Sequence, residues 1–175
     1  FLDARCEDAL NIIRSQFTLQ DSLIAQTAND ALDCDFCTGI VENSQFKSCG
    51  NDGIDISGSS VTVRSVRLTD VSDKAISIGE NSSLAAEGIV IDNANVAVAC
   101  KDLSELSGFG LDIKKSNIGF AVFQKKPEFG GGTVRVTDVS IGNVKAPYLI
   151  EPNSSVFVDR KEIPSNREKL KEELY

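Results

Sequence analysis

Asn29-Asp30-Ala31-Leu32-Asp33-Cys34 returns 22 residues later as Asn51-Asp52-Gly53-Ile54-Asp55-Ile56, and after 22 more as Asp73-Lys74-Ala75-Ile76-Ser77-Ile78. The same period extends in both directions, so rows of 22 begin at Asp8, Asp30, Asp52, Lys74, Val96 and Ile118. In the second column stand Ala9, Ala31, Gly53, Ala75, Ala97 and Gly119, all Ala or Gly. The third holds Leu10, Leu32, Ile54, Ile76, Val98 and Phe120, and the fifth Ile12, Cys34, Ile56, Ile78, Cys100 and Val122. Two apolar positions flanking one outward position give the period-two signature of a strand with one buried face. The row-ending column, Asn29, Asn51, Asp73, Asn95 and Asn117, suits a sharp corner. Asn and Asp tolerate left-handed backbone, and stacked amides can hydrogen-bond as a ladder.

Further period-two pairs follow in each row: Val61-Thr62-Val63, Val66-Arg67-Leu68, Ile89-Val90-Ile91, Leu111-Asp112-Ile113 and Val134-Arg135-Val136. Each coil thus carries two or three short strands and no helix, which excludes a leucine-rich repeat. The reading is an all-β, right-handed parallel β-helix of about seven 22-residue coils. The sixth coil breaks step: Ala146 is the next small corner, 27 residues after Gly119. The five extra residues fall between Gln124 and Gly132, where an insertion forms a loop. A seventh, shorter coil runs from Lys145 to about Ile163. Pro164 ends the strand pattern, and Ser165-Asn166-Arg167-Glu168 reads as a capping box before a helix over Glu168 to Leu174. This divides the chain into a β-helix over residues 1–163 and a cap over 164–175, with the helix expected to cover the strand edges of the last coil.

Composition narrows the function. Twenty-six acidic and 18 basic residues give a net charge of −8, which argues against nucleic acid and anionic membranes as partners. The same charge serves solubility and leaves cations or neutral glycans open. No apolar run approaches the ~18 residues of a membrane span. The chain lacks Met and begins at Phe1, and Phe1 to Glu7 looks too short to close the first coil. The solenoid or another domain is therefore expected upstream, within a larger chain. The five cysteines, Cys6, Cys34, Cys37, Cys49 and Cys100, match neither a zinc nor a disulfide framework and read as small buried side chains.

The outward fourth and sixth positions carry the candidate site. Asp33, Asp35 and Asp55 come together on neighbouring coils, where close carboxylates need a cation, a raised pKa or good hydration. Calcium is a possible occupant, and no other cofactor is implied. At the other end Lys101, Lys114, Lys115, Lys125 and Lys126 gather beside an outward Phe123 and the inserted loop, a combination able to hold a sugar or an acidic polymer. Gly130-Gly131-Gly132 lacks the pattern of a phosphate loop.

From about Asp8 to Ile163 the repeat resembles the right-handed β-helices of the pectate-lyase-like superfamily. Asn51-Asp52-Gly53-Ile54-Asp55-Ile56-Ser57 is similar to the Asn-Thr-Asp-Gly segment of polygalacturonase-type hydrolases, and Asp73-Lys74-Ala75-Ile76-Ser77-Ile78 to their Asp-Asp pair and following strand. The resemblance implies acid and base roles for Asp52 and Asp73. Lys74 stands where the family has its other aspartate, and the family's Gly-His-Gly and Arg-x-Lys segments are missing. A pectate-type lyase would need a base beside the carboxylates, and Lys101 lies two coils from Asp55, ~10 Å along the axis. The chain also looks like β-helix regions appended to bacterial proteins with spore-coat-kinase-like domains. The expected function is a non-catalytic module for carbohydrate binding or scaffolding in a larger extracellular or cell-surface protein, with a polysaccharide or glycan as partner. The alternatives are a polysaccharide hydrolase or lyase using Asp52, Asp55 and Asp73, or a pure spacer.

Overall fold

Apolar residues at every second position make short strands. Because the rows keep a spacing near 22, with extra residues taken up at corners and loops, the strands of one row lie directly over those of the next. In the computed structural model, which describes residues 3–175, that stacking builds a parallel β-solenoid of seven coils. What precedes Phe1 lies outside the described residues.

The coils expose three lateral sheets. The first contains Asp8–Ile13, Asp30–Asp35, Ile54–Ser57, residues 74–79 and 96–101, Ile118–Phe123 and Ala146–Ile150. Its register follows the 22-residue rows, with Leu32 beside Ile54 and Ile54 beside Ile76. The second begins with Gln16–Gln20, Thr38–Glu42 and Ser60–Arg64 and ends with Ser155–Val158. The third begins with Leu23–Thr27 and Gln45–Cys49. All pairings among the described strands are parallel except that of Ser155–Val158 with Lys161–Ile163, an antiparallel hairpin at the end of the stack.

The third- and fifth-column side chains fill the interior. Leu32, Cys34, Ile54, Ile56, Ile78, Cys100, Phe120 and Val122 have no exposed surface. Each large member of this column stabilises the fold by about 1.5–3 kcal/mol relative to an exposed side chain. Small residues fill the second column because backbone passes close by: a Cβ on Gly53 would meet the Ala75 carbonyl oxygen at 2.7 Å. Cys34 belongs to this interior. Cys37 takes a hydroxyl's place in a ladder at the next corner, where each polar side chain accepts the backbone N–H of the coil before. Ser59 Oγ accepts from Cys37 (2.8 Å), Ser82 Oγ from Ser59 (3.0 Å) and Ser104 Oγ from Ser82 (3.1 Å), all buried. All five cysteines are free thiols; Cys6 is exposed, against the expectation that all five are buried, and burial pushes the Cys34 thiol well above the ordinary range, so it stays protonated.

Three sequence expectations need correction. The left-handed residues stack at other corners, as Arg14, Phe36, Gly58, Glu80 and Asp102 in one column and Gln26, Ser48, Asp70, Asn93 and Lys115 in another. The Asn29 column has no positive φ. Its contribution is side-chain bonding: Asn117 Nδ2 donates to Asn95 Oδ1 (3.0 Å) and Asn95 Nδ2 to Asp73 Oδ1 (3.5 Å), while Asn51 turns aside to Asp30 (2.7 Å). The insertion is six residues, not five. Ile118 pairs with Ala146 and Phe120 with Tyr148, so Pro147, not Ala146, lies beside Gly119.

The third correction concerns the tail. The helix spans Leu170–Leu174, and its N-cap is Lys169 in the left-handed region, without a side-chain cap. No capping box forms at Ser165. Asn166 covers the open strand edge instead: its side chain accepts from Ile150 N–H (3.0 Å) and donates to Tyr148 C=O (2.9 Å), as the peptide group of an eighth coil would. The helix then lies on the outer side of the first sheet.

Candidate functional site

The outward positions of the first sheet divide it into two halves. In coils one to three the register sets Asn11 beside Asp33, Asp33 beside Asp55, and Asp35 beside Ser57. The three carboxylates therefore do form one patch, partly open to solvent. Asn11 Nδ2 donates to Asp33 (2.9 Å) and to Asp8 (3.0 Å). Partial burial, then the charges of Asp35 and Asp55, push the Asp33 carboxyl up to about 7. Asp35 is also raised, by burial and then by Glu80. Asp55 Oδ1 is shut off from solvent and has no hydrogen-bond partner. Among the described residues no group of three or more His, Cys, Asp or Glu side chains is arranged to hold a metal ion, so the geometry adds no support to calcium.

From coil five upward the outward positions are covered, and all but Lys101 of those in coils five and six are apolar. Ala99, Ala121 and Phe123 pack with Val96 and Leu149 under Leu170, and all but Leu149 are fully buried. Phe123 leaves the coil interior as the sequence suggests, yet it has no exposed surface and lies 6.5 Å, centroid to centroid, from Tyr175. Lys101 is buried too, and its ammonium donates to Ser77 Oγ at 2.6 Å. Glu151 ties the tail down. One carboxylate oxygen accepts the Leu170 N–H (2.6 Å), and the other accepts the Gln124 N–H (2.9 Å).

Between the halves lies a charged seam. Lys74 is buried and pairs with Asp73 and with Asp52 (3.4 Å). Asp52 is 3% exposed, and its Oδ1 also takes the Lys74 backbone N–H (2.9 Å). Burial pushes Asp52 up to about 7 against the pull of Lys74. Asp52 and Asp73, the pair that the hydrolase resemblance points to, thus share one cation, and the row-starting aspartates hold the next coil's backbone. Asp30 accepts from Asp52 N–H (2.8 Å) in the same way.

Lys125 and Lys126 stand at the rim of this seam. The Lys125 ammonium lies 4.0 Å from the centroid of Tyr175, with Lys74 at 5.0 Å on the same ring. Its pKa is lowered by burial and by Lys101 and Lys74 nearby. Lys126 pairs with Glu80. The backbone N–H groups of Lys125 and Lys126 bond to one oxygen of buried Asp102 (2.7 and 2.8 Å), which anchors the inserted loop.

Sequence reasoning found the acidic patch, with Asn11 in its outward column and Asp30 at the adjoining corner, and missed that Asp8 joins it through Asn11. It also missed Tyr175, because nothing in the repeat says where a tail will lie. No family model matches this chain, and no curated protein matches it either.

Proposed function

We propose that this solenoid is a non-catalytic module that binds carbohydrate or acts as a scaffold within a larger extracellular or cell-surface protein. The observation that carries the reading is the contrast between two sets of carboxylates. Asp52 and Asp73 are committed to Lys74, so neither is free to exchange a proton with a substrate. Asp33, Asp35 and Asp55 sit on a rigid sheet and remain partly open to solvent. Carboxylates in a row accept hydrogen bonds from adjacent sugar hydroxyls, and a pre-formed sheet spends little entropy on ordering. The likeness of the repeat to the pectate-lyase-like superfamily agrees with a polysaccharide partner, at the level of fold analogy.

The test is a screen of neutral oligosaccharides against the chain and an Asp33→Asn/Asp55→Asn variant. Binding that the variant loses supports the site. If the chain binds no glycan, the binding reading falls and the scaffold reading stands alone.

A further inference from the structure

The second sheet carries a feature of opposite chemistry. One outward column runs Thr62, Ala85, Ser107, Arg135, Phe157, and its neighbour runs Arg64, Glu87, Phe109, Thr137. Ala85 and Ser107 are short, so the sheet surface dips between the longer side chains. Two open depressions of about 450 and 470 Å³ result, and they meet at Ser107 and Gly108. Arg64, Glu87, Phe109, Arg135, Phe157 and Arg160 wall them, and Arg64 is paired with Glu87 (3.9 Å), which leaves Arg135 and Arg160 as the uncompensated charges.

Four details mark this trough as more than ordinary surface. The Arg135 and Arg160 guanidiniums have no carboxylate partner among the described residues, in a chain of net charge −8. Arg135 is held in place over the Phe157 ring, 5.5 Å from its centroid. Arg160 sits at the second position of the two-residue turn Asp159–Arg160, with φ values of 48° and 66°. A hairpin turn of that shape favours glycine at this position, and a side chain there strains the backbone. Phe109 adds a ring that is 56% exposed. It stands two coils from Phe157, ~10 Å along the axis, about the length of two linked sugar rings.

From this geometry we infer that the second-sheet trough is a binding site for an anionic glycan, whose carboxylates are gripped by Arg135 and Arg160 and whose ring faces rest on Phe109. Guanidinium forks match carboxylates in a bidentate way, and exposed aromatic rings stack on the C–H faces of sugars. The trough lies on a sheet face and not along an edge, so it offers a peptide no strand pairing. The acidic bulk of the chain disfavours nucleic acid. This site is independent of the first-sheet reading, whose carboxylates would repel the same ligand.

The experiment measures binding of a uronic-acid hexasaccharide, a neutral hexasaccharide of equal length and a single-stranded oligonucleotide. The native chain is compared with Arg135→Ala, Arg160→Gly, Phe109→Ala and Asp33→Asn/Asp55→Asn. The uronate is expected to bind best, with affinity falling as salt rises. Each arginine variant should bind roughly ten- to a hundredfold more weakly, the scale of a lost charged hydrogen bond. Arg160→Gly relieves the turn, so it should melt no lower than the native chain while losing affinity, a combination that a purely structural arginine does not give. The first-sheet variant should bind uronate as well as the native chain does. Absence of uronate binding, equal binding of the neutral sugar by the Asp33→Asn/Asp55→Asn variant, in which the first-sheet site is removed, tighter binding of the oligonucleotide, or affinity unchanged in Arg135→Ala and Arg160→Gly would each overturn the proposal.

Discussion

At coil two the outward positions of the first sheet are Asp33 and Asp35, open to water and crowded with like charge. Three coils along, the same positions are Ala99, buried against Leu170 of the C-terminal helix, and Lys101, buried with its ammonium on Ser77. The strands are alike and the register is continuous. The difference lies wholly in side chains that the repeat leaves unconstrained. A solenoid fixes its inward columns by packing and leaves its outward columns to specialise, so one sheet holds a hydrated acidic end and a second, lateral hydrophobic cluster. The seam between them, at Lys74, is where the contrast is most exposed to mutation.

The largest effect is expected there. Lys74→Ala strands two carboxylates and should cost about 3–5 kcal/mol, as breaking a buried ion pair does, measured by urea unfolding. The double variant Lys74→Met/Asp52→Asn should recover much of the loss. If Lys74→Ala is neutral, the seam is not a structural joint. Next comes the covered end. Leu170 has no exposed surface, and Leu170→Ala should cost about 2–4 kcal/mol. A double-mutant cycle with Phe123→Ala should give coupling well above zero, since both belong to one cluster; additive costs would mean that the tail does not seat on Phe123.

The acidic end should behave in the opposite sense. The Asp33 carboxyl has a folded-state pKa of about 7 against an ordinary value of 3.8, so between these values the native state holds a proton that the unfolded chain has released. Its contribution is fully present below about pH 4 and is lost as pH rises through about 7. Asp33→Asn should flatten this part of the pH–stability profile and raise stability at pH 8 by about 1–2 kcal/mol, reduced from the full shift because the group is partly open to solvent. Asp52, also near 7, leaves a residual slope in the variant. A variant less stable than the native chain at pH 8 would mean that Asp33 is a favourable acceptor and not a repelled charge. The smallest effect concerns the amide ladder. Asn95→Ala breaks its bonds to Asn117 and Asp73 and should cost about 1 kcal/mol by thermal melting.

The fold was legible because its interior repeats. Leu32, Ile54 and Ile76 occupy equivalent positions, and their spacing alone gives the register that the strands adopt. The left-handed corners were harder to find, because Arg14, Phe36 and Glu80 share a column without sharing chemistry; the stack of coils, and no preference of the residues, imposes their φ. The one-residue slip at Ala146 has a similar origin: small size marked the corner in every earlier coil, and Pro147 took that place in the last. The acidic patch was legible from the columns. The burial of Phe123 was not, since it depends on a tail outside the repeat, and neither was that of Lys101, whose side chain turns back over Gly79 to Ser77.

That tail has a mechanical consequence. Coils of a solenoid touch only their neighbours, so a pulled or heated stack tends to peel from an end one turn at a time. Here Asn166 grips coil seven, Leu170 rests on coils five to seven, and Tyr175 reaches the ammonium of Lys74 in coil four. A single strap thus clips four turns together along their side. Under tension along the axis, coils four to seven should give way as one block, while coils one to three yield in small successive steps.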